Sequence, residues 1–167
     1  MWDKKSRFTV LVEAFSADLY RYAYWIAGDK HVAEDLVQET FTRAWRSLDG
    51  LRDERAAKAW LITTLRRENA RRFARKSLEV IDIDVDTLEA SGDPESSPEA
   101  RALGRALADL SPDYRDPLLL QIIGGYSVVE IAEEMNLSSG AVTTRLFRAR
   151  QKLRNVLSDD ADIKVSK

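Results

Sequence analysis

The sequence predicts an all-α protein: two small helical domains joined by a flexible acidic linker. Three observations carry that expectation. Apolar residues recur every three to four positions through both halves, the period that gives a helix one buried side. Residues 77–100 break the pattern with a run of acids, Ser, Gly and two prolines. Beyond them, Tyr126 to Leu157 reads as a short capped helix, a tight turn and a longer basic helix. With Gly 7 and Pro 4, the composition suits neither a β-rich nor a wholly disordered chain.

The first helix is expected from about Arg7 to Ala27. There Phe8, Leu11, Val12, Phe15, Leu19, Ala23 and Ile26 share one side, and Gly28-Asp29 ends it. A second runs from about Lys30 to Leu48 on Val32, Leu36, Val37, Phe41, Ala44, Trp45 and Leu48, with Glu34, Asp35, Gln38, Glu39 and Arg43 outside. Asp49-Gly50 is a turn signal. A third, about Arg55 to Lys76, packs through Ala56, Trp60, Leu61, Thr64 and Leu65 and then turns basic.

Residues 77–100 are read as a linker, because the alternating Val80-Ile81-Ile83-Val85 stretch has no partner strand. Fully extended it could reach about 80 Å. A fourth helix follows from Ala100 to Leu110, stopped by Ser111-Pro112. Asp113 to Ile123 then packs through Leu118, Leu119, Ile122 and Ile123. Gly124-Gly125 is a turn and not a phosphate loop, since no strand or spaced third glycine accompanies it.

The last two helices have explicit stop and start signals. Ser127 and Glu130 have capping-box spacing. Asn136 stands where a left-handed residue closes a helix, and Ser138 is the expected cap of the next one. Val142, Leu146, Ala149, Leu153 and Leu157 then form one apolar stripe. Between Met135 and Ser158 there is no acid, while Arg145, Arg148, Arg150, Lys152 and Arg154 are basic. A basic helix held by a short capped one, with small Ala132 at the crossing, is the helix-turn-helix arrangement for the DNA major groove.

The net charge of −2 hides a strong segregation. Residues 66–76 hold six basic groups against one acid, and residues 77–99 hold eight acids and no base. Local patches of this kind govern binding to nucleic acid more than the average does. Cysteine is absent, which excludes disulfides, thiolate zinc sites and cysteine nucleophiles. No metal site, cofactor site or nucleophile–base pair can be assembled. The adjacent acids Glu34-Asp35 and Glu133-Glu134 diverge on a helix, and His31, the one histidine, sits at a helix start. The chain is therefore expected not to be an enzyme. The stretch MWDKKSRFTVLVEAF lacks a signal-peptide core, and no apolar run is long enough to span a bilayer; the reading is a soluble, cytoplasmic protein.

AEDLVQETFTRAW (33–45), AWLITTLRR (59–67) and residues 110–154 together resemble bacterial RNA polymerase sigma factors of the extracytoplasmic-function (ECF) group. The parts occur in order, at family spacing, over nearly the whole chain outside the linker. The resemblance implies region 2 over 7–76, an acidic linker over 77–100 and region 4 over 101–157. It implies docking on core RNA polymerase (the β′ coiled coil and the β flap) and regulation by an anti-sigma factor. Asp35, Gln38, Glu39, Phe41 and Trp45 match the polymerase-docking motif.

The loop Asp49 to Ala57 matches the segment that captures an unstacked base of the non-template strand. Arg66, Arg67, Asn69, Arg71 and Arg72 are the candidates for the −10 element. The chain departs from the family here, because Arg67 stands near where an Asn is usual. Ser139, Thr143, Thr144, Arg145, Phe147 and Arg148 are the candidates for the −35 element, with Thr143 where a basic residue is frequent. The acidic linker would suit the basic channels of the polymerase. Two further readings compete: a dimeric helix-turn-helix regulator, and a sigma-like protein that only titrates an anti-sigma factor.

Overall fold

Asp3 starts the first helix. Its carboxylate accepts the Ser6 N–H at 2.8 Å, satisfying one of the amides that a helix start leaves unpaired. The computed structural model describes the backbone of residues 3–78 and 97–165, and side chains within 3–76 and 97–159. Helix α1 spans Lys4–Ala27 and closes on Gly28, whose φ of 69° is the left-handed conformation that glycine adopts without strain. Asp29 accepts the Val32 N–H at 3.0 Å and caps α2, Lys30–Ser47. Two tight 3-10 turns follow, Leu48–Gly50 and Glu54–Ala56, before α3, Ala57–Leu78.

In the second unit Ser97 caps α4, Pro98–Asp109, and α5 spans Pro112–Ile122. Helix α6, Val128–Met135, has the full capping box: Ser127 Oγ accepts the Glu130 N–H, and the Glu130 carboxylate accepts the Ser127 N–H, both at 3.1 Å. Asn136 ends it at φ 55°, and the Leu137 N–H reaches the Ala132 carbonyl at 2.8 Å. Ser138 Oγ accepts the Ala141 N–H at the start of α7, Ser139–Val165. Among the described residues there is no strand, so the chain is all-α as expected.

The chain divides into two compact units, Met1–Glu89 and Ala90–Lys167. In the first, α1, α2 and α3 pack on one another around Leu19, Tyr22, Ala23, Leu36, Ala44, Leu61, Ile62 and Leu65, all buried. In the second, α4, α5 and α6 all pack on α7, whose Val142, Leu146 and Ala149 are buried.

Several boundaries and faces differ from the sequence expectation. The start of α1 at Lys4 and of α4 at Pro98 follows from Asp3 and Ser97 acting as caps. Ala56 is exposed, because the 3-10 turn delays the helix until Ala57. Ile122, expected in the core, is 65% exposed. Helix α5 contacts both α6 and α7, so Pro117, Leu118, Leu119 and Leu120 are buried and Ile122 faces outward. Gly124 must be glycine, since a Cβ there would lie 2.6 Å from the Leu120 carbonyl oxygen. Of the expected linker, residues 77 and 78 belong to α3, Ser97 caps α4 and 98–100 belong to it; 79–96 lie outside the described residues.

Candidate nucleic-acid interfaces

The last turns of α2 and the middle of α3 enclose an open cleft of about 240 Å³. Helix α2 contributes Arg43, Arg46 and Ser47 to it, and α3 contributes Trp60, Thr64, Arg67, Glu68 and Arg71. The α3 side chains lie on one stripe because 60, 64, 67 and 71 are spaced by helical turns. Trp60 is half-buried and packs on the core formed by Leu11, Leu48 and Ala57. It is a fixed wall with one side in the cleft.

Glu68 is 4% exposed. A buried carboxylate is costly unless cations meet it, and two do. Arg71 Nη1 lies 2.5 Å from Glu68 Oε1, and Arg43 Nε ion-pairs with the same oxygen. Arg43 Nε also lies 3.2 Å from Glu39. With its arginines outnumbering its one acid, the cleft is a cationic surface with an aromatic wall. That combination suits a phosphodiester strand with an unstacked base.

Of the expected −10 residues, the structure brings Arg67 and Arg71 into this cleft. Arg66 instead donates to the Tyr22 phenol oxygen at 3.1 Å. Arg72 lies near enough to Asp29 for its charge to favour that carboxylate, and Asn69 is half-buried. Arg43, expected on the outer face of α2, and Trp60, expected on the packed side of α3, also line the cleft, as do Arg46 and Glu68, to which the sequence assigns no site role. The Arg43/Arg46 spacing at the end of α2 was the available signal.

The loop beside the cleft is tied to the start of α1. Arg7 donates to the Leu51 carbonyl at 3.1 Å and lies 3.6 Å from Glu54, while Lys4 pairs with Asp49 at 2.9 Å.

On the exposed side of α2, Asp35, Gln38 and Glu39 face solvent. Phe41 and Trp45 meet Phe8 edge-on, with centroids 6.0 and 5.1 Å away. Phe41 is half-buried and Trp45 is 39% exposed, with the Lys4 ammonium over its ring at 5.1 Å. Both aromatics thus serve the core in part and the surface in part.

In the second unit, Ser139, Thr143, Thr144, Phe147 and Arg148 are exposed on α7, and Phe147 is 62% exposed. Thr143 donates back to the Ser139 carbonyl at 2.9 Å. Arg145 leans on α5, 3.4 Å from Asp113. Arg150 bonds Gln121, and Lys152 lies over the Tyr114 ring at 5.1 Å. The first turns of α7 therefore present small polar groups, an aromatic and a cation, which is the composition that reads base edges in a major groove.

The sequence matches Sigma-70 region 2 over residues 11–79 and Sigma-70, region 4 over residues 100–153. It is 36% identical over 158 residues to the ECF RNA polymerase sigma factor SigL of Mycobacterium tuberculosis, covering 89% of this chain and 88% of that protein. The chain belongs to the ECF RNA polymerase sigma factors.

A second ECF sigma factor, BldN of Streptomyces coelicolor, is 36% identical over 159 residues; this chain is matched over 90% of its length and spans 60% of BldN. The sigma factor RpoE of Bartonella quintana, solved in complex with the anti-sigma factor NepR, superposes with a TM-score of 0.74 at 29% identity, over 92% of this chain and 96% of that one. In this ECF sigma factor the cleft belongs to the region 2 match and α7, up to residue 153, to the region 4 match. No helix among the described residues is long and apolar enough to cross a membrane.

Proposed function

We propose that this ECF sigma factor joins core RNA polymerase and directs promoter-specific initiation. In this reading region 2 (7–76) binds the −10 element and helps to melt it. Region 4 (101–157) binds the −35 element, and the acidic stretch 77–100 links the two. The observation that carries the reading is the Arg43, Arg46, Arg67, Arg71 and Trp60 cleft. Its cations suit the backbone of a separated strand, and its aromatic wall, Trp60, stands one helical turn beyond the loop Asp49 to Ala57, to which the resemblance gives capture of the unstacked base. The exposed residues at the start of α7 support duplex reading by the second unit. Thr144, Phe147 and Arg148 are the base-edge candidates, and Arg145, paired with Asp113, is the phosphate candidate.

Asp35, Gln38, Glu39 and Trp45 on the outer side of α2 are assigned to the polymerase coiled coil, with Phe41 shaping that surface from beneath. Region 4 is assigned to the polymerase flap. An anti-sigma factor covering these faces is the proposed regulator, by analogy with the RpoE complex. The role is one of binding and positioning in the cytoplasm, with no reaction of the chain's own.

Co-purification of core polymerase with this chain, followed by permanganate probing of unpaired thymines on a bound promoter, tests the reading. Reactive thymines confined to one upstream element support it. Core binding without any unpaired thymines contradicts the melting role.

A further inference from the structure

Glu68 is the one acid among the six basic groups of residues 66–76, and it is the buried one. Its Oε1 accepts from Arg71 on α3 and ion-pairs with Arg43 on α2, whose buried Nε makes no hydrogen bond. Both arginines line the cleft. We propose that Glu68 is the positioning residue that sets base selectivity in the −10 cleft, by fixing Arg43 and Arg71 and cancelling one of the cleft's positive charges. The inference rests on the proposal that this cleft takes the unstacked non-template strand.

The physical argument concerns freedom and charge. An unrestrained arginine swings to whichever phosphate is nearest and binds every sequence alike. An arginine held by a buried carboxylate has a fixed position, and its rigid planar fork of donors keeps a defined direction. Fixed donors beside a fixed Trp60 wall accept some base edges and leave others unpaired, which is how a site discriminates. Charge acts the same way. With Glu68 paired to Arg43 and Arg71, fewer uncompensated cations remain to attract strands without regard to sequence. A staple that only joined α2 to α3 would predict something else: its loss would weaken all binding together.

The test uses holoenzyme assembled from core RNA polymerase and the full chain, with Glu68 or with Glu68→Gln. Each is equilibrated with a DNA pool randomised at both promoter elements and opened at the upstream edge of the −10 element. The bound fraction is sequenced, and affinity for the whole pool is measured across a salt series. Glu68→Gln should lower base enrichment at the −10 positions by about fivefold or more, the low end of what one bidentate contact contributes. Pool affinity at low salt should rise, and its salt slope should steepen by about 0.7, one added strand contact. Enrichment at the −35 positions should not change.

Undiminished −10 enrichment with an unchanged slope would overturn the proposal, as would a loss of affinity for all sequences together. Glu68→Asp keeps the charge but shortens the reach, so it guards against a Gln variant that fails to fold. It should keep the wild-type slope and lose enrichment; full enrichment would overturn the proposal. A wild-type holoenzyme with no −10 enrichment would remove the reading of the cleft itself, and that outcome needs no variant to detect.

Discussion

Arg66 on α3 donates to the phenol oxygen of Tyr22 on α1 across 3.1 Å, and Tyr22 is fully buried. One residue further on, Arg67 is exposed in the cleft. Neighbouring arginines in a basic run thus face different tasks. Arg66→Ala should lower region 2 stability by about 1 kcal/mol, the usual loss for one such bond. Arg67→Ala should leave the melting temperature nearly unchanged. It should instead reduce the salt slope of strand binding by about 0.7. Thermal melts beside salt titrations of the two variants check this.

The α7 side chains divide in a similar way. Arg148 is exposed while Arg145 is held near Asp113. Arg148→Ala should weaken binding to the preferred −35 duplex by about 1–3 kcal/mol and relax specificity at one position. Arg145→Ala should weaken all sequences about equally. Competition between the preferred duplex and scrambled duplexes separates the two behaviours.

Asn136 closes α6 at φ 55°. Alanine is strained in that conformation, and glycine is not. Asn136→Ala should destabilise the second unit by about 1 kcal/mol, whereas Asn136→Gly should be close to neutral. Urea unfolding of both variants, followed through helical content, is the measurement.

Asp29 gives stability a pH dependence of known sign. The Val32 N–H holds its carboxyl below the ordinary aspartate range; burial opposes it, and His31 and Arg72 add smaller help. A lowered folded-state value means that this stabilisation is present above the unfolded value of about 4. It is lost as pH falls through the lower folded value. Asp29→Ala should cost about 1 kcal/mol at neutral pH. Asp29→Asn, an equally good cap, should keep neutral stability and lose part of the acid sensitivity. Urea melts at pH 7 and pH 3 compare them.

The legible features were those whose signals are local. Asp29 following Gly28, the Ser127 and Glu130 pair, Asn136 and Ser138 each announce a helix end through their own backbone chemistry, and each stands at such an end. Features made by two elements meeting were harder to read. Periodicity shows that α5 has an apolar side. It does not show that α6 and α7 both press on it, so the period places Ile122 inside, where the structure buries Leu120 instead. The cleft has the same origin. Arg43 and Arg46 lie far from Arg67 and Arg71 in sequence, and Glu68 looked like a lone acid in a basic run until two helices placed arginines on it.

The central claim is that this chain converts core polymerase into a promoter-specific enzyme. Multi-round transcription in vitro, with core polymerase and a library of bacterial promoter fragments, tests it most directly. The account predicts discrete transcripts that depend on the added chain and whose templates share two sequence elements at fixed spacing. Core binding with no new transcripts, or tight binding to a palindrome without core binding, would contradict it.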